Sequence, residues 1–334
     1  MKKLVIMVLT LTIGLTLVSC TTKKEETKEA KEVRIGFFPN ITHSQALYSK
    51  ATGEFEKSFG NRVKVDYKTF NSGPSEVEAM IANELDIGYI GPGPAINAFE
   101  KTKGGIRILS GAADGGAIVV ALSKSNIKTV KDLAGKKVSV PGPGNTQDLC
   151  LRALLKENGL SSTNNGGNVE VIKANNQDVK ALLDKGSIDA AIVPEPWGSL
   201  LEIESDARVI VESNKVYNDG DYPVALVMVR EKFVKSNPEL VEKFLKAHIL
   251  STEKIKSNQG EAIKIINDEL KKLTKKPLDE KILEKSFGRI KFVNDINLDV
   301  VKGFAKTSYD LGYLKKEPNV DSIYLKDVLD KAKK

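Results

Sequence analysis

Cysteine is nearly missing from this sequence. The 334 residues contain two, Cys20 and Cys150, too few for a disulfide framework or a cysteine-rich metal site. Histidine is as scarce, with two residues far apart in the chain. Neither a His/Cys iron site nor a catalytic triad can be assembled from these positions, so no metal, cofactor or enzymatic chemistry is expected. Blocks of one charge sign are also lacking. The 51 Lys and Arg are interspersed with 44 Asp and Glu, for a net charge of +7. That pattern gives a solvated surface and excludes a nucleic-acid footprint. After the first twenty residues no apolar run is long enough to span a membrane.

The first twenty residues are different. "MKKLVIMVLTLTIGLTLVSC" has two lysines, an apolar stretch and a small residue before Cys20. Residues 1–19 read as an export signal. Leu17-Val18-Ser19-Cys20 resembles the lipobox of bacterial lipoproteins, which implies a diacylated Cys20 and a protein held at the extracytoplasmic face of the cell membrane. "TTKKEETKEAKE" follows with nothing apolar to bury, so residues 20–32 are expected to be a disordered tether. Cys150, in "DLCLRALLKENGL", falls on a helical apolar stripe and is expected in a core.

One phrase occurs twice. "DIGYIGPGP" begins at Asp86 and "DAAIVPEP" at Asp189, 103 positions apart. At that same offset "VRIGFFPNITHSQALY" (33–48) falls on "KKVSVPGPGNTQDLCL" (136–151), and "SGPSEVEAMIANELD" on "NNQDVKALLDKGSID". The strands "RVKVDYKTF" and "NVEVIKA" align after a short gap. Each unit reads strand, helix, strand, helix, strand, turn. The expected fold class is therefore α/β, with two lobes, each a mainly parallel sheet flanked by helices, and a ligand cleft between them. Lobe 1 is expected to span 33–122 plus 225–334, and lobe 2 residues 123–224. The apolar segments 116–126 and 221–233 are expected to cross between lobes and pair as a two-stranded hinge. The amphipathic helices after Glu231 would complete lobe 1.

The lipobox, the long block 72–99, "TVKDLAGKKVSVPGPGNTQD", "DAAIVPEPW" and "YPVALVMVREKF" together resemble the substrate-binding lipoproteins of ABC importers, in the group for aliphatic sulfonates, taurine or nitrate. The resemblance implies a type II periplasmic-binding-protein fold. It also implies a monomer that closes on a small anion or zwitterion and docks on a permease with its ATPase. Nitrate, phosphonate and a thiamin-related pyrimidine remain alternative ligands, and a sensor domain an alternative role. Related pyrimidine-synthesising enzymes use a cysteine-rich motif and iron, which this chain lacks.

In open α/β sheets a ligand sits beyond the carboxyl ends of the strands. Asn40, Thr42 and His43 follow the first strand; Ser72, Gly73 and Ser75 follow the second; Gly91, Pro92 and Gly93 follow the third. Gly116 lies at the crossing. Lobe 2 offers Asn145, Thr146, Gln147, Glu195 and Trp197, and Tyr222 stands beside the returning strand. Gly91 and Gly93 would let backbone approach a ligand closely. Most of these are uncharged donors where helices begin, which suits an anion. No Arg or Lys accompanies them, which favours a monoanion. Asp148 and Glu195 have two readings, as locally bonded structural groups or as a partner for the ammonium of a zwitterion such as taurine. His43 could bind the anion or cap a helix, and Trp197 could stack on an organic ligand or fill a core.

Overall fold

A computed structural model describes residues 30–334. The expected export signal and Cys20 lie outside the described residues, and the expected tether is corrected at its end: the Ala30 N–H donates to the Asn237 Oδ1 at 2.9 Å and Glu32 already belongs to a strand. Eleven strands form two sheets: β1 (Glu32–Phe37), β2 (Lys64–Thr69), β3 (Ile87–Ile90), β4 (Ile106–Gly115), β5 (Ala117–Leu122), β6 (Lys137–Val140), β7 (Glu170–Lys173), β8 (Ala190–Pro194), β9 (Ala207–Val211), β10 (Pro223–Arg230) and β11 (Ile290–Phe292). The first sheet has the order β11-β4-β10-β3-β1-β2 and the second β7-β6-β8-β5-β9. Between them run α1 (Ser44–Thr52), α2 (Glu54–Phe59), α3 (Gly73–Ile81), α4 (Pro92–Lys101), α5 (Thr146–Glu157), α6 (Val179–Asp184) and α7 (Trp197–Glu204).

The sequence repeat is a structural repeat. β1, β2 and β3 form a parallel trio in the order β2-β1-β3, and β6, β7 and β8 form the same trio in the order β7-β6-β8. A fourth strand then runs antiparallel beside each trio: β10 beside β3, and β5 beside β8.

Those fourth strands correct one expectation. β5 and β10 do not pair with each other. β5 lies between β8 and β9 in the second sheet, and β10 lies between β3 and β4 in the first. The physical reason is burial on both faces. β10 is buried at seven successive residues and β5 at five. A two-stranded ribbon would leave such apolar strands exposed to water, whereas the middle of a helix-covered sheet does not. Residues 117–122 thus belong with the second sheet. The chain leaves the first lobe at Gly115–Gly116, both at positive φ (71° and 80°) where glycine is favoured, and returns between β9 and β10. The crossings are there, not at the expected lobe boundaries 122/123 and 224/225.

The helices Pro238–Ser257, Gln259–Thr274 and Leu298–Asp310 pack on the first lobe. Phe244 stacks on Phe55 at 4.9 Å, and His248 bonds the Tyr89 hydroxyl at 2.8 Å. Cys150 is buried in the core, and burial raises its thiol pKa.

Candidate functional site

The carboxyl ends of both strand trios face one cleft. It is narrow and in part open to solvent. Of the residues expected there, Asn40, Thr42, His43, Ser72, Gly73, Gly91, Asn145, Thr146 and Gln147 line it. Phe38, Asn71, Pro94, Pro141, Asn176, Pro194 and Val224 line it too and were not anticipated. The repeat itself carried the signal for several of them. At the 103-residue offset Phe38 corresponds to Pro141, Gly73 to Asn176 and Gly91 to Pro194, just as Thr42 corresponds to Asn145.

Hydrogen bonds fix which atoms remain free. The Asn40 Oδ1 accepts from the Thr42 N–H (3.0 Å) and hydroxyl (2.6 Å), which orients the amide and leaves its NH₂ as a donor. The His43 Nδ1 accepts from the Phe38 N–H at 3.1 Å, and the ring stacks on Phe38 at 4.7 Å. Burial pushes His43 down to about 3, so the imidazole is neutral at pH 7 and its proton sits on Nε2. The Asn145 Nδ2 is buried with no partner among the described residues. An unsatisfied buried donor costs about 1–3 kcal/mol, so a ligand acceptor there recovers energy. Asn145, Thr146 and Gln147 also open α5, and Gly73 opens α3; the N–H groups of a helix's first turn carry partial positive charge. Among the described residues, no Asp, Glu, Lys or Arg lines the cleft. Phe38, Pro94, Pro141, Pro194 and Val224 add apolar surface, and Thr42, Asn71, Ser72 and Asn176 further polar groups.

Seven expected residues lie elsewhere. Pro92 and Gly93 start α4 and meet the second lobe: a Cβ on Gly93 would stand 2.6 Å from the Gly144 carbonyl oxygen. A Cβ on Gly91 would stand 2.2 Å from the Thr146 Oγ1. These glycines admit the opposite lobe, where the sequence reading had them admit a ligand. Gly116 belongs to the crossing, its N–H donating to the Ser213 Oγ at 3.0 Å. Tyr222 is a core residue, edge-on to Phe304. Trp197 stands outside the cleft, at its mouth.

Glu195 is fully buried and already partnered. It accepts from the Ser199 N–H (2.9 Å) and hydroxyl (3.0 Å), the Ser286 hydroxyl (3.0 Å) and the Arg289 guanidinium (2.8 Å). Asp148 is likewise consumed by the Gly144 N–H (2.9 Å), Arg152 (2.8 Å) and the Tyr313 hydroxyl. The structural reading of both carboxylates therefore stands. Ser75 donates to the Ser72 carbonyl at 2.8 Å, closing the turn that starts α3.

One titrating group flanks the crossing. Burial pushes the Asp114 carboxyl up to about 7, with Asp221 adding to the rise and Lys291 opposing it. An unfolded Asp ionises near pH 3.9. Between about pH 4 and 7 the unfolded chain has lost a proton that the folded chain keeps. Stability should therefore fall as pH rises through that window, with a ceiling of about 4 kcal/mol. Chemical denaturation of the protein and of Asp114→Asn from pH 4 to 8 checks this. The variant should lose that slope and gain on the parent above pH 7; parallel profiles would contradict it.

Among the described residues, no helix is long and apolar enough to cross a membrane, and no cluster of three metal-ligating side chains occurs. A family model described as the NMT1-like family matches residues 26–267. A putative aliphatic sulfonates-binding protein of Bacillus subtilis is 29% identical over 309 residues, covering 91% of this chain and 87% of that one. The taurine-binding periplasmic protein of Escherichia coli is 28% identical over 222 residues, 66% of each chain. The periplasmic nitrate-binding protein NrtA of Synechocystis has the same fold, with a TM-score of 0.77 at 18% identity over 91% of this chain and 88% of its own.

Proposed function

This chain belongs to the NMT1-like family, and we propose that it is the extracytoplasmic substrate-binding protein of an ABC importer, capturing an aliphatic sulfonate between its lobes and delivering it to the permease and its ATPase. The observation that carries the ligand class is the cleft's wall. Among the described residues it offers buried donors, including the unpartnered Asn145 Nδ2, beside apolar surface and without any charged side chain. Oxygens of a monoanion suit the donors, and carbon suits Phe38, Pro141 and Pro194. Nitrate would leave the apolar surface unused. A phosphonate dianion would lack a cation to meet its second charge. Taurine would bring an ammonium to a site whose nearest candidate carboxylates, Asp148 and Glu195, are fully bonded to protein. The relatives named for sulfonate and taurine support the class.

A micromolar complex needs about 8 kcal/mol. Helix termini contribute about 0.3–1 kcal/mol each, up to about 2 when partly buried. Hydrogen bonds to a charged group contribute about 1.5–3 kcal/mol, so the amides of Asn40 and Asn145, with His43 and Thr146, are asked to supply most of the affinity. Calorimetric titration with butanesulfonate, taurine, nitrate, methylphosphonate and hydroxymethylpyrimidine tests this. Butanesulfonate should bind best, and Asn145→Ala should weaken it by about 10- to 100-fold. Binding of nitrate or the pyrimidine alone, or an unaltered Asn145→Ala, would overturn the reading. The membrane anchor proposed at Cys20 follows from the lipobox; incorporation of labelled palmitate by the parent and not by Cys20→Ala is the expected result, and no incorporation by the parent would remove the anchor.

A further inference from the structure

Tyr313 reaches the donor end of the cleft from outside it. The stretch "YDLGY" ends the helix Leu298–Asp310. Gly312 takes a positive φ of 77°. Its N–H donates to the Tyr309 carbonyl (2.8 Å), and the Tyr313 N–H donates to the Ser308 carbonyl (2.9 Å). This is the helix end that a left-handed glycine permits, and it fixes the backbone at Tyr313. The same helix packs on α4 of the first lobe and on α5 of the second. From there the Tyr313 hydroxyl donates to the Asp148 Oδ2, and the Arg152 guanidinium lies over the ring, 5.8 Å from its centroid.

Asp148 is fully buried and is the third residue of α5. Its Oδ2 takes the Gly144 N–H (2.9 Å) as well as the Tyr313 hydroxyl, and its Oδ1 takes the Arg152 Nε (2.8 Å). Arg152 is held in turn by the Ser162 Oγ at 2.6 Å. Gly144 precedes Asn145, which caps α5 without a side-chain cap bond. The helix end therefore does not orient the Asn145 amide; the backbone that carries it is oriented through Gly144. One carboxylate oxygen thus joins a tyrosine of the first lobe to the backbone beside the cleft's unpartnered donor. A hydroxyl donating to a carboxylate makes a strong bond, and this one forms where the lobes meet.

We propose that Tyr313 is a positioning residue for ligand binding: acting through Asp148, it holds the Gly144–Asn145 backbone so that the Asn145 amide faces the ligand as the lobes meet. This rests on the reading of the cleft as the sulfonate site. Tyr313 itself does not line the cleft. Without its hydroxyl, Asp148 keeps Gly144 and Arg152 but loses its hold on the first lobe. The Asn145 amide then meets the ligand in a smaller share of molecules, and apparent affinity falls by that share.

Calorimetric titration with butanesulfonate of the parent, Tyr313→Phe, Asn145→Ala and the double variant tests this. Tyr313→Phe keeps the ring under Arg152 and removes only the hydroxyl. It should weaken binding by about tenfold. In the Asn145→Ala background the same change should cost less than about twofold, because the donor it places is already gone. A tyrosine that served only the fold or the lobe contact would cost about tenfold in both backgrounds; that outcome, or parent-like binding by Tyr313→Phe, would overturn the proposal and leave the sulfonate cleft standing. A parent that binds no butanesulfonate would overturn both. Asp148→Asn, read in the same two backgrounds, serves if Tyr313→Phe does not fold.

Discussion

Valine at Gly93 is expected to hold the two lobes apart and weaken ligand binding by about 10- to 100-fold, with each lobe still folded. Gly93 lies in the first turn of α4, in the first lobe. A Cβ there would stand 2.6 Å from the Gly144 carbonyl oxygen and 3.0 Å from the Leu149 Cδ1, both in the second lobe. A backbone carbonyl cannot rotate aside as a side chain can, so the contact is relieved by separating the lobes. Each lobe keeps its own sheet when the two separate. Separation does cost affinity, since apparent affinity falls with the fraction of molecules able to close. Scattering with saturating butanesulfonate should show a smaller radius for the parent than for Gly93→Val. A variant that closes and binds like the parent would contradict this role for the glycine.

Arg289→Met should be the most destabilising single change outside the core. The Arg289 guanidinium meets Glu195, Glu202 and Glu212, and all three belong to the second lobe or its return crossing. Burial opposes its charge, but those carboxylates hold the guanidinium pKa raised. Removing one member of a buried pair leaves an uncompensated charge, at a cost of about 3–5 kcal/mol. Glu195 is fully buried, so it bears that cost, while the more exposed Glu212 contributes little. At about 1.4 °C per kcal/mol for a chain of this length the midpoint should fall by roughly 4–7 °C. Adding Glu195→Gln to Arg289→Met should recover much of the loss, because the stranded charge is then gone. A loss below about 1 kcal/mol for Arg289→Met would show that solvent reaches Glu195 after all.

The repeat made the lobes legible. Two copies of one strand–helix–strand pattern at a fixed offset lead to two sheets of like topology and to a cleft where their carboxyl ends meet. The offset even points to Pro141, Asn176 and Pro194, once the residues found in one copy are carried to the other. What an apolar strand does not reveal is the sheet it enters. β5 and β10 have the same composition whether they pair with each other or sit in opposite sheets, so the crossings were misplaced until backbone pairing was available. A glycine beside a cleft is equally silent about whether ligand or lobe approaches it, as Gly91 and Gly93 illustrate. Glu195 looked like a cleft residue because Arg289, its partner, lies 94 positions further along the chain. No local pattern links the two. For Trp197 the sequence leaves two readings, a surface for an organic ligand or a core residue; it packs on the second lobe's apolar cluster, at the mouth of the cleft.

The central claim is that the donors inside the cleft hold a sulfonate. A crystal structure of the chain with octanesulfonate tests it most directly. The predicted result has a sulfonate oxygen within hydrogen-bond reach of the Asn145 Nδ2 and another near the Asn40 amide. A sulfonate held by surface lysines outside the cleft, with the Asn145 amide still unpartnered, would contradict it.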